Sequence, residues 1–162
     1  MAPVSADVAY ILKEITFEWG ESYDTKDWAR LRAILAENLS IDYSDVTGEK
    51  WADIGKDEFV SMVSDEGFVG DPLVDTQHFI GASKFERLSD IEVVGYHQLR
   101  AAHQRYKNLD KKEVEAKGHG HAVIRHSYKN IDGKWRLAGL KPTVRWNEFD
   151  FGRVFKGHKE TS

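Results

Sequence analysis

The sequence predicts an α+β domain in which N-terminal helices pack against a strongly curved, mainly antiparallel sheet. Three observations carry that prediction. Apolar residues recur at helical spacing near the N-terminus, whereas from residue 76 onward they alternate in long runs rich in β-branched and aromatic side chains. The runs follow one another directly, so the order is helices first and a meander afterwards, not a βαβ repeat.

Between Ser5 and Tyr23 the residues Val8, Ile11, Leu12, Ile15 and Trp19 make one apolar stripe, with Ser5 or Asp7 as N-cap and Gly20 near the end. Asp27 caps a second, shorter helix whose stripe is Trp28, Leu31, Ile34 and Leu35. Tyr23 and Asp24 therefore fall at a junction between helices. In residues 39–43 the alternation predicts a short strand with Leu39, Ile41 and Tyr43 pointing inward. A third helix over 56–63 carries Phe59, Met62 and Val63, and the Gly- and Pro-containing stretch 67–72 reads as a loop. Strands follow at 76–88, 91–106, 112–131 and 134–146, separated by turn residues at Ser89-Asp90, Asn108 to Asp110 and Asp132-Gly133. A curved sheet wrapped on a helical layer leaves a cone-shaped cavity, the usual place for a small molecule.

At 162 residues, with 41% hydrophobic and 31% charged side chains, the chain has the proportions of one soluble domain spanning 1–162. A net charge of -4 gives no reason to expect nucleic acid as a partner. Without cysteine there is no disulfide, thiolate metal site or cysteine nucleophile. No run of apolar residues reaches membrane-spanning length, and the first seven residues lack the pattern of a secretory signal, so a cytoplasmic or other intracellular location is expected.

Five polar residues stand inside otherwise apolar segments: Tyr23, Asp24, Tyr43, His78 and His103. Two phenols, a carboxylate and two imidazoles can polarise a carbonyl and move protons. Strand parity puts His97, Leu99, Ala101 and His103 on one face, and His78, Ile80 and Ala82 on another. Imidazoles among small apolar neighbours describe a lined pocket, although core histidines satisfied by the backbone are the competing account. His119 and His121 share a face in the way paired metal ligands do. No partner carboxylate is evident, so no metal is expected.

The segments EWGESYDTKDW (18–28), IDY (41–43), TQHFIG (76–81), GYHQLR (95–100), HQRY (103–106) and AGLKP (138–142) closely resemble those of scytalone dehydratases, in the same order over nearly the whole chain. The resemblance implies an NTF2-like cone-shaped barrel, a homotrimer, no cofactor, and dehydration of scytalone, a bicyclic polyketide-derived hydroxy-ketone of melanin biosynthesis. It implies that Tyr23 and Tyr43 hold a water against the substrate ketone and that His78 is the general base. By the same likeness His103, oriented by Asp24, assists departure of the β-hydroxyl. Met62 and Phe68 correspond to pocket-wall positions, and Phe151 and Phe155, at helical spacing, to a tail that closes over the ligand. Ala122 and Ile124 depart from the family, which has a serine and an asparagine there; the polyketide-like substrate is then expected to be less polar on that side. A cyclase or isomerase on a related intermediate, or a non-catalytic binder of a small molecule, are the alternatives.

Overall fold

A computed structural model describes residues 3–157. Helix α1 (Ala6–Thr25) starts where the Ser5 side chain accepts the Val8 N–H, and it ends at Lys26, which takes a left-handed conformation. Asp27 caps α2 (Trp28–Ile34) by accepting the Arg30 N–H at 3.0 Å. Leu35, expected in the stripe of this helix, is instead the first residue of strand β1 (Leu35–Tyr43). Its side chain and that of Ala36 are buried either way, so apolar spacing alone could not separate the two states. Strand β2 (Glu49–Gly55) was not expected; it is an edge strand in which only Ile54 is fully buried, and its other residues are too polar to alternate legibly. Helix α3 (Lys56–Val63) buries Phe59 and Val63.

The long strands β3 (Val74–Arg87), β4 (Glu92–Tyr106), β5 (Val114–Ile131) and β6 (Lys134–Phe149) complete a sheet of order β2-β1-β6-β5-β4-β3. The β1–β6 pairing is parallel and the others are antiparallel. Extra residues bend it. Gly81 and Ala82 oppose Gln98 alone, while Ala138 and Arg145 are unmatched where β6 follows β5; such bulges increase twist and curl. The curl stays open, because β2 and β3 are edges that do not pair, so the expected cone is a mixed sheet and not a closed barrel.

Helix α1 lies against β3 and β6, and its Leu12, Ile15, Trp19 and Tyr23 enter the same core as Leu39, Ile41, Ile124 and Leu140. Among the described residues after β6, only Phe151–Arg153 forms a helical turn, a short 3-10 segment. Its path depends on Gly118: a Cβ there would stand 2.3 Å from Phe151 Cα, an impossible approach for any other residue. Further along, Val154 is fully buried beside Val74, and its carbonyl accepts the Arg105 Nε–H at 2.6 Å. The Arg105 guanidinium, itself buried, also pairs with Asp71. That ion pair and carbonyl contact hold the tail across the open end of the cone.

Candidate active site

The sheet and α1 enclose one polar corner inside an apolar cavity. Tyr23, from the last turn of α1, and Tyr43, from the end of β1, meet with their hydroxyl oxygens 2.9 Å apart. His78 on β3 and His103 on β4 complete the corner, with ring centroids 6.1 Å apart. All four line the same cavity. The remaining wall is apolar, formed chiefly by Leu99, Ala101, Ala122, Ile124, Pro142 and Val144.

Burial governs the phenols. It raises the Tyr23 hydroxyl to about 12, and the bond with Tyr43 only partly counters it. Tyr43 is also raised well above its ordinary value, first by burial and then by Tyr23. Both therefore remain protonated near neutral pH. The pair owns two O–H protons and spends one on its mutual bond, which leaves one for a ligand oxygen in the cavity.

The histidines are set by their second nitrogens. His78 Nδ1 lies 2.7 Å from Asp24 Oδ1, and a carboxylate only accepts, so Nδ1 carries the proton and Nε2 is the lone pair. The same carboxylate receives the His78 backbone N–H at 2.8 Å and the Thr76 hydroxyl at 2.8 Å. Burial pushes Asp24 upward, yet these bonds from His78 and Thr76 outweigh it, and its pKa falls below the usual value. An ionised Asp24 fixes the tautomer of His78 and leaves its Nε2 lone pair uncommitted.

His103 is held differently from expectation. Its Nδ1 donates to the Gly118 carbonyl at 2.8 Å, whereas Asp24 is committed to His78 and Thr76; Asp24 therefore orients His78 and not His103. Burial first, then the nearby His78, lowers the His103 pKa to about 3. Neutral and with Nδ1 spent as a donor, His103 offers only an accepting Nε2.

Phe68, Phe151 and Phe155 form the cavity's outer boundary. Phe155 packs against Phe68 with centroids 5.1 Å apart, and Phe151 and Phe155 each lie 5.3 Å from His103. The cavity volume is only about 80 Å³, below the ~300 Å³ at the lower end of small-molecule pockets, so a bicyclic ligand must displace some of this boundary. Met62 is not in the cavity. It lines an outer cleft that shares Phe68, Phe151 and Phe155 with the cavity. His119 and His121 face away from the cavity: His119 Nδ1 accepts the His103 N–H at 3.3 Å, and His121 stacks on Trp146.

Two contributors escaped the sequence reading. Thr76 shares strand parity with His78, a usable signal, while Asn147 reaches the cavity from β6 through a pairing with Gly120 that only the sheet register reveals.

Comparison with known proteins gives the family. Residues 5–162 match the scytalone dehydratase family model. The chain is 51% identical over 148 residues to scytalone dehydratase arp1 of Aspergillus fumigatus, covering 91% of this chain and 88% of that one. Against the scytalone dehydratase of Pyricularia oryzae it is 51% identical over 150 residues, with coverage of 93% and 87%. The crystal structure of a putative scytalone dehydratase from Novosphingobium aromaticivorans superposes with a TM-score of 0.72 at 16% identity, over 91% of this chain and 90% of that one, a likeness of fold. Sequence similarity over about nine-tenths of the chain, together with an α+β curl that gathers phenols and imidazoles at one end, places this chain in the scytalone dehydratase family, as a dehydratase of the hydro-lyase class.

Proposed function

We propose that the protein eliminates water from a hydroxylated cyclic ketone, scytalone or a less polar polyketide-derived relative on a melanin-type pathway, using only its own side chains. The observation that carries this reading is the His78–Asp24 pair facing a cavity whose other polar groups are two protonated phenols and an accepting imidazole.

The ketone oxygen meets the free phenol O–H, directly or through a water held by Tyr23 and Tyr43, so negative charge growing on it is stabilised. His78 Nε2 takes the proton from the adjoining carbon, and Asp24 stabilises the imidazolium that results. The C–O bond of the β-hydroxyl then breaks as the C=C bond forms. His103 Nε2 accepts the hydroxyl's hydrogen bond and orients it, but it has no proton to give near neutral pH. The proton therefore returns from His78 to the departing oxygen, giving water, a neutral base and elimination on one face. Nothing is oxidised or reduced, so the steps call for no cofactor. Closure by Phe151 and Phe155 would keep bulk water from the enolate. Homotrimeric assembly belongs to the same proposal; it would cover the exposed Phe79 and Trp146 on the face of the sheet turned away from the cavity.

The test is turnover of a panel of cyclic β-hydroxy-ketones, followed by mass. Loss of water by the wild type, with kcat/KM lower by about 10²- to 10⁴-fold in His78→Ala, is expected. Equal rates in both proteins would remove His78 from the mechanism, and a rearranged product of unchanged mass would replace dehydration by isomerisation or cyclisation.

A further inference from the structure

The cavity is polar at one end, but its β5–β6 wall is apolar at Ala122, Ile124, Pro142 and Val144. One lining side chain on that wall breaks the pattern. Asn147 on β6 pairs with Gly120 on β5, and because Gly120 has no side chain, the space above its backbone is left to Asn147 and Phe151. A Cβ at Gly120 would lie 3.6 Å from Asn147 Oδ1 and 3.9 Å from Phe151 Cε2. The Asn147 carboxamide thus occupies the cavity rim beside the closing tail, exposed and with no bonding partner among the described residues.

The position matters because of strand spacing. Gly120 is two residues from Ala122 and four from Ile124 on the same face, roughly 7 and 13 Å along β5 at about 3.3 Å per residue. Across the sheet Gly120 pairs with Ala101, two residues before His103, so Asn147 stands on the His103 side of the cavity. An amide there can donate to and accept from one ligand oxygen, which neither Ala122 nor Ile124 can do.

We infer that Asn147 is a specificity-determining residue, and that the preferred substrate is a bicyclic β-hydroxy-ketone with a further hydroxyl or carbonyl oxygen on the edge facing the tail and none on the edge facing Ala122 and Ile124. This rests on the dehydratase reading, deepening it to a substrate pattern. An oxygen at the rim gains a hydrogen bond, whereas the same oxygen placed against Ile124 is desolvated without a partner.

Equilibrium binding tests the inference without turnover. The His78→Ala protein is titrated with 3-hydroxy-1-tetralone and with its four analogues carrying one added ring hydroxyl, with and without the further change Asn147→Leu. The expected result is that one analogue binds about tenfold tighter than the parent, and that Asn147→Leu removes this preference while parent affinity is kept. Persistence of the preference in Asn147→Leu, equal weakening of all five ligands, or no preference in either protein would overturn the inference. Turnover by the wild type is measured separately: absent dehydration with the preference intact sinks the dehydratase reading and leaves Asn147 as a selector, and the converse sinks only the role of Asn147.

Discussion

His97 and His103 lie six residues apart on β4, both buried and both made weak bases by burial, with values of about 4 and about 3, yet they belong to different machines. His97 sits at the closed end of the cone, where every proton of its cluster can be followed. Thr16 donates to the Leu12 carbonyl at 3.0 Å, so the Tyr128 hydroxyl, 2.5 Å away, must donate to Thr16. The Tyr128 oxygen then accepts from His97 Nε2 at 2.9 Å and His126 Nδ1 at 3.2 Å, and His97 Nδ1 accepts from Ser83 at 2.8 Å. Both nitrogens of His97 are spent. His103 spends one nitrogen on Gly118 and turns the other to the cavity. Burial and a displaced pKa are common to both, so they do not separate the two histidines; the difference is the nitrogen that His103 leaves uncommitted beside the cavity, on which its proposed role rests.

The largest effect that would break this comparison comes from making the same substitution at both sites. His103→Asn retains a donor for the Gly118 carbonyl and deletes the accepting Nε2, so kcat/KM should fall by about 10²-fold or more while denaturant stability barely changes. His97→Asn leaves a void and breaks the Tyr128 contact, which should cost about 1–3 kcal/mol of stability and leave the turnover of the folded protein near wild type. If His97→Asn impaired turnover as much as His103→Asn, the division between the two ends would be wrong. A smaller effect is expected at Thr16→Val, which removes the acceptor of the Tyr128 hydroxyl and the donor to the Leu12 carbonyl. About 1–2 kcal/mol should be lost in urea unfolding, with no change in KM.

The smallest effect sharpens what the two histidines share. His97, His103 and His126 all have pKa values lowered by burial, so below about pH 6.5 the unfolded chain binds protons that the folded chain refuses. Stability should therefore be flat above about pH 7 and decline as the pH falls from about 6.5 toward the folded values. The slope of unfolding free energy against pH, measured in urea between pH 7 and 5, should reach the equivalent of two to three protons, and His97→Asn should lower it by about one. An unchanged slope in that variant would mean that His97 is protonated in the folded state.

How much of this could be read beforehand depended on the range of the interactions involved. The three helices were legible because capping and apolar spacing act within a few residues: Ser5, Asp27 and the Phe59–Val63 face all lie where local rules place them. The long strands were legible from alternation, and with them the side on which His78 and His103 fall. Strand β2 was not, since an edge strand exposed on most positions carries little pattern. The five polar residues do gather in one corner, as expected. The partner of Asp24 was misassigned, because whether a carboxylate at a helix end reaches β3 or β4 depends on how α1 lies across the sheet.

The chain's order of residues decided on its own the α+β class, the element sequence, the inward parity of the imidazoles and the family. Those follow from local propensity and periodicity, which need no knowledge of distant neighbours. Only the tertiary structure decided that Asp24 holds His78, that Gly118 makes His103 an acceptor, that Met62 lies outside the cavity and that Asn147 reaches its rim. Each of these is a matter of register and helix placement, where a shift of one residue or a few ångströms changes which hydrogen-bond partner is in reach.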